Sequence, residues 1–123
     1  MPLLSPIPRP GDARKELRVS VSWRAKLIRP NGQPLDVRVR DISESGLGVL
    51  APERVVEQQP LTLSITMPDL DDPSQAYLVN CRILPIFVVL RGHDYHAGAQ
   101  WLELHDSARA LIKAWIKRIQ HGL

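Results

Sequence analysis

Cysteine is almost missing from this chain. Cys81 stands alone among 123 residues, so no internal disulfide can form; a disulfide scaffold is excluded and a reducing cytoplasm fits. Aromatics are scarce too: three Trp, two Tyr and one Phe. No apolar run approaches the ~18 residues of a membrane span; the longest, "ILPIFVVL", is strand-length and interrupted by Pro85. The opening "MPLLSPIPRPGDARKELR" lacks the basic start and apolar core of a signal peptide. There is no glycine-rich phosphate loop and no G-x-S-x-G nucleophile turn. Asp69, Asp71 and Asp72 lack the glycine and distal glutamate of an EF-hand loop. His93, His96, His105 and His121 have no cysteine or carboxylate at metal-ligand spacing and read as surface residues. These absences weigh against an enzyme and against a metalloprotein.

What is present is ordinary in bulk. Apolar residues make up 44% and charged residues 24%, as in a soluble globular protein, and the length suits one domain. Net charge is +3, which favours an anionic partner. Arg9, Arg14, Lys15 and Arg18 form one basic cluster; Arg109, Lys113, Lys117 and Arg118 form another near the end of the chain. Four prolines within the first ten residues block helix and regular strand pairing, so residues 1–13 read as an extended, mobile lead-in.

From Val19 the chain alternates strictly. Val19, Val21, Trp23, Ala25 and Leu27 face one way and Ser20, Ser22, Arg24 and Lys26 the other, which predicts a half-buried strand. Asn31-Gly32 signals a hairpin, and Leu35, Val37 and Val39 mark the return strand. Leu47 to Leu50 resumes an apolar strand, residues 61–67 alternate cleanly, and residues 77–90 give one long or two short strands kinked at Pro85. "RGHDYH" reads as a turn and residues 97–104 close the β series. The period then changes. Ala108, Leu111, Ile112, Trp115, Ile116 and Ile119 recur at helical spacing, with Asp106 or Ser107 as N-cap, and this apolar stripe needs a surface to lie on. Six or so short antiparallel strands followed by one helix predict a mainly β fold, a small closed barrel capped by a C-terminal helix.

Two segments carry possible chemistry. In "RKELR", Arg14 and Arg18 are four apart with Lys15 between them, and guanidinium groups bind phosphate or a guanine edge with two parallel donors. The same stretch also fits plain solvated surface. In "RDISESGLGVL", Asp41, Ser43 and Gly46 can be turn chemistry, with side chains bonding nearby N–H groups and glycine supplying a positive φ. They can also be half of a ligand site: guanine's N1–H and N2 amino group are parallel donors that match a carboxylate. On an extended segment the Ser43 hydroxyl would lie on the same side as Asp41.

Arg14-x-x-x-Arg18, a hairpin, then Asp41-x-Ser43-x-x-Gly46 resembles the signature of PilZ domains, bacterial receptors for the second messenger cyclic di-GMP. "AGAQWLEL" is similar to the family's closing strand. The resemblance implies a six-stranded antiparallel split β-barrel over about residues 19–104, inside a domain of residues 14–123. A C-terminal helix over about 106–121 is compatible with it. It implies that Arg14 and Arg18, with Lys15 where many members carry arginine, hold the phosphates and guanines. Asp41 and Ser43 would read a guanine edge and Gly46 would shape the turn. No metal or cofactor is implied beyond the dinucleotide ligand. With no output domain in the sequence, such a receptor acts by changing its contacts with a protein partner. Its basic lead-in would move onto a preformed surface when ligand binds. Two other readings stand beside this one: a basic barrel for single-stranded nucleic acid, and an adaptor that has lost the dinucleotide. The first needs exposed aromatics for base stacking, yet Trp23, Trp101 and Trp115 all fall on apolar faces.

Overall fold

The computed structural model describes residues 16–122; Arg14, Lys15 and the expected lead-in lie outside them. β1 (Val19–Ile28) and β2 (Pro34–Ile42) are joined through the Asn31-Gly32 turn. There Gly32 adopts φ +87° and donates its N–H to Arg29 O at 2.8 Å, a conformation that glycine takes at little cost. β3 (Gly46–Ala51), β4 (Leu61–Pro68), β5 (Ala76–Arg91) and β6 (Asp94–Glu103) follow, and α1 (Asp106–Gln120) ends the chain. The strands close antiparallel in the order β1-β2-β3-β6-β5-β4, with β1 pairing β4 to seal the barrel. The expected six-stranded barrel with one C-terminal helix is the observed architecture.

Alternation explains the core. β4 buries Leu61, Leu63, Ile65 and Met67 and turns Thr62 and Thr66 outward. β1 buries Trp23, Ala25 and Leu27, and β2 buries Leu35, Val37 and Val39. These inward faces fill the barrel, as a closed sheet of this size requires. α1 packs on the barrel. Ala108, Ile112 and Ile116 are buried, while Leu111, Trp115 and Ile119 pack half-exposed against the core. The Trp115 ring meets Trp23 edge-on, with centroids 5.8 Å apart and planes at 65°. Its indole N–H donates to Pro68 O at 3.0 Å.

Two local features depart from the sequence reading, and a third, β5, takes the one-long-strand alternative that the sequence leaves open. His105, not Asp106 or Ser107, caps α1: its Nδ1 accepts from Ser107 N at 3.1 Å, so a ring nitrogen does the work of the usual hydroxyl or carboxylate oxygen. The turn expected over residues 91–96 shrinks to Gly92 and His93, because Asp94, Tyr95 and His96 pair with Arg91, Leu90 and Val89. β5 runs unbroken past Pro85, where the ladder with β6 shifts register between Pro85 and Phe87. β4 pairs no further than Ile83. Beyond it the β3–β4 loop takes over: Gln58 donates its backbone N–H to Pro85 O at 2.8 Å and its amide to Ile86 O at 3.2 Å. Glu57 accepts from Val88 N at 3.0 Å. Gln58 holds φ +63° to do so. The far half of β5 is thereby fixed beside the site.

Candidate functional site

Four neighbouring strands place one residue each in a single row across the barrel wall. Asp41 on β2 pairs with Gly48 on β3, Gly48 with Gly98 on β6, and Gly98 with Phe87 on β5. Cross-strand partners share one face of a sheet. The two glycines leave a strip of bare backbone, and both flanking side chains lean over it. A Cβ on Gly48 would lie 2.5 Å from Asp41 Oδ2, and one on Gly98 would overlap the Phe87 ring. Over this strip opens a groove of about 560 Å³ lined by Arg18, Arg40, Asp41, Phe87, Arg91 and His96.

A bulge aims the charged pair on β2. The β2–β3 ladder shifts register between Val39 and Asp41, and a bulge breaks strict alternation and re-aims side chains. Arg40 and Asp41 therefore both line the groove, while Val39 and Ile42 on either side remain fully buried. Without the bulge Asp41 would follow Val37 and Val39 into the core.

Arg18 reaches the site from the residue before β1 and donates to Asp41 Oδ1 at 2.8 Å. Both side chains are partly solvated, 43% and 33% exposed, and such ion pairs contribute only ~0–1 kcal/mol. The pair is therefore easily exchanged for another partner. Arg40 lies 2.7 Å from Nδ1 of His96. A guanidinium can only donate, so this contact needs Nδ1 free of its proton.

The Asp41–Gly46 turn is built from beneath. Ser43 is fully buried. Its hydroxyl accepts from Gly46 N at 3.1 Å and donates to Gly46 O at 3.2 Å, and its own N–H donates to Gly46 O at 2.8 Å. Ser43 thus points away from the face that carries Asp41, contrary to simple alternation, because the chain has already left the strand. Gly46 is not the positive-φ residue its type suggested; Gly32, Gly92 and Gly122 hold that conformation. It is glycine for lack of space, since a Cβ there would overlap the backbone oxygen of Ala99. Trp101 donates its N–H to Ser45 O at 3.0 Å and its indole N–H to Ser43 O at 3.2 Å. Arg109 of α1 donates to Glu44 O at 3.3 Å, and Ser45 donates to Glu16 at 2.5 Å.

Arg18 and Asp41, both expected from sequence, therefore meet, and Ser43 and Gly46 support them from below. Arg40, Gly48, Phe87 and Arg91 join the site without having been singled out, as does His96, which by sequence reads as a surface histidine. Of these only Gly48 carried a nearby signal, as the second glycine of "GLG"; the others depend on cross-strand register. The arrangement offers cations, one carboxylate and one aromatic ring around a strip without side chains, which suits a flat, polar, anionic ligand. Among the described residues no group of three His, Cys, Asp or Glu could hold a metal ion. No helix there is long and apolar enough to cross a membrane.

The PilZ domain model matches residues 12–118, and a search of curated proteins returns no match. Among solved structures the fold is similar to the Bacillus subtilis inhibitor of motility MotI/DgrA. The TM-score is 0.74 at 13% identity, over 89% of this chain and 52% of that one. It is also similar to YcgR from Escherichia coli in complex with c-di-GMP, with TM-score 0.69 and 14% identity over 88% of this chain and 46% of that one. The PilZ domain of YcgR with c-di-GMP gives a TM-score of 0.65 at 14% identity, over 88% of this chain and 92% of that one. The chain thus spans about half the length of the first two. With the family model covering most of its length and the barrel matching throughout, the chain belongs to the PilZ domain family.

Proposed function

We propose that the protein is a receptor for cyclic di-GMP, which it binds in the groove over Gly48 and Gly98, and that binding alters its contacts with a protein partner. The observation that carries this reading is the Arg18–Asp41 pair at 2.8 Å in a groove also lined by Arg40 and Arg91. The c-di-GMP complexes of YcgR, a protein of the same fold, add support.

Each group has a part. Arg18, joined by Arg14 and Lys15 from the segment ahead of it, neutralises the two phosphates and braces the guanines. Asp41 accepts from N1–H and the N2 amino group of one guanine. To do so it must release Arg18, and exchanging a solvated ion pair for charge-assisted bonds of roughly 1.5–3 kcal/mol each favours the ligand. Ser43 and Gly46 act indirectly by fixing the turn that carries Asp41. Freed from Asp41, Arg18 turns to the phosphates and draws the N-terminal segment over the ligand. The Arg109 bond to Glu44 O offers a route from the turn to α1, so the partner would sense either the N-terminal segment or the helix.

Titration calorimetry with cyclic di-GMP tests the reading. Wild type should bind, and Arg18→Ala should bind about tenfold or more weaker, the loss expected for one charge-assisted contact. Equal binding by the two proteins would place the site elsewhere. Binding of single-stranded nucleic acid without the dinucleotide would favour the other ligand class, and binding of neither would favour the adaptor. Hydrogen exchange of the N-terminal amides, with and without ligand, reads the rearrangement.

A further inference from the structure

Phe87 is the only phenylalanine in the chain, and it is 52% exposed. A single exposed apolar residue ordinarily needs no explanation. This one differs in three ways. Its ring occupies the space that a Cβ on Gly98 would take, so the glycine seats it on the groove floor. It stands in the same cross-strand row as Asp41, with only Gly48 and Gly98 between them. It lines the groove together with the cations Arg18, Arg40 and Arg91.

The spacing matters. Asp41 and Phe87 start three strands apart, about 14 Å at the usual strand separation, but each leans inward by one strand. Carboxylate and ring therefore end up over adjacent strands, roughly 5 Å apart along the row. A base whose edge is held at Asp41 has the ring within reach. The bulge between Pro85 and Phe87 and the clamp of Gln58 and Glu57 on the outer edge of β5 fix the backbone that carries the ring.

The geometry points to Phe87 as the base-stacking residue of this groove: its ring packs against a purine face while Asp41 holds that purine's edge. The inference rests on the reading of the groove as a cyclic di-GMP site and adds to it a stacking surface on β5, far from both sequence motifs. Gly98 is its positioning residue. It lets the ring lie against the floor; any side chain there lifts the ring into the space of the base.

Calorimetry with cyclic di-GMP on wild type, Phe87→Tyr, Phe87→Leu and Gly98→Ala tests this. Phe87→Tyr keeps the π-face and should bind like wild type. Phe87→Leu keeps apolar bulk but loses that face, and should bind about 5- to 150-fold more weakly, the range for one stacked base. Gly98→Ala should weaken binding in the same direction, since only the exposed ring has to move. In Phe87→Trp the added emission should be quenched on ligand addition, beyond any change seen in wild type from its own three tryptophans. Wild-type binding with Phe87→Leu unaffected overturns the stacking role and leaves the site reading intact. No binding by wild type overturns both.

Discussion

Gly46 and Gly48 lie two residues apart on β3 and should respond oppositely to the same substitution. A Cβ on Gly46 would overlap Ala99 O and come within 3.0 Å of Ala99 C. That obstacle is backbone, so β3 and β6 must separate. Forced overpacking costs about 1–3 kcal/mol. Three Ser43–Gly46 bonds tie the turn, and losing two of them as the strands separate costs about 0.5–1.5 kcal/mol each. Gly46→Ala should therefore lose about 2–6 kcal/mol, a large part of the ~5–15 kcal/mol available to a domain. The atoms nearest a Cβ on Gly48 all belong to the Asp41 carboxylate, a partly solvated side chain that can swing away. Losing the Arg18–Asp41 pair costs about 0.2–1 kcal/mol, and removing a glycine from the unfolded chain returns about 0.4–1 kcal/mol. Stability of Gly48→Ala should therefore stay within about 1 kcal/mol of wild type, while the displaced carboxylate lowers affinity for cyclic di-GMP about tenfold or more. Urea denaturation followed by circular dichroism gives the first pair of numbers and calorimetry the second. Equal destabilisation by the two alanines, or full affinity in Gly48→Ala, would refute the reasoning.

Trp115→Ala should cost about 2–4 kcal/mol in urea denaturation: the ring is only half-buried, which trims the usual core penalty, but its Trp23 contact and its bond to Pro68 O go with it. A cost under about 1 kcal/mol would mean that α1 is not packed as described. Burial pushes the Cys81 thiol up to about 12, so at pH 8 thiolate is scarce and labelling by a thiol reagent should be slow and accelerate only with unfolding; rapid labelling of the folded protein would contradict its burial. The Tyr77 hydroxyl and the N–H groups of Asp72 and Asp71 hold the Asp69 carboxyl below its ordinary value. A depressed carboxyl lends support that is full above its unfolded value of about 4 and is lost as pH falls through its folded one, so the 69–75 loop should loosen only in acid. Tyr77→Phe should move the Asp69 titration back up in NMR, and an unmoved titration would remove the assigned cause.

Much of the fold was legible because a closed barrel makes each strand half-buried, and half-burial writes period two into β1 and β4. The α1 stripe was legible for the same reason at period 3.6. Closure of β1 on β4 was not, since pairing across such separations leaves no local trace. Asp94, Tyr95 and His96 look like turn residues until β5 pairs with all three and β3 with Tyr95 and His96. The site divided along the same line. Arg18 and Asp41 stood in recognisable motifs, but a bulge at Arg40, not alternation, turns Asp41 outward. Ser43 was placed on the wrong face because its hydroxyl closes the turn. Phe87, Arg91 and His96 are distant in sequence and reach the groove only through the register of β3, β6 and β5.

The central claim is that Asp41 reads a guanine edge in this groove, and base selectivity tests it most directly. Guanine presents two parallel donors to the carboxylate, whereas adenine sets an acceptor, N1, beside its one amino donor. Calorimetry should therefore be run with cyclic di-GMP and cyclic di-AMP on wild type and Asp41→Ala. Wild type should prefer cyclic di-GMP by about tenfold or more, as expected for a charge-assisted pair, and Asp41→Ala should lose that preference by weakening toward the level of cyclic di-AMP. A preference that survives in Asp41→Ala, or its absence in wild type, would contradict the assignment.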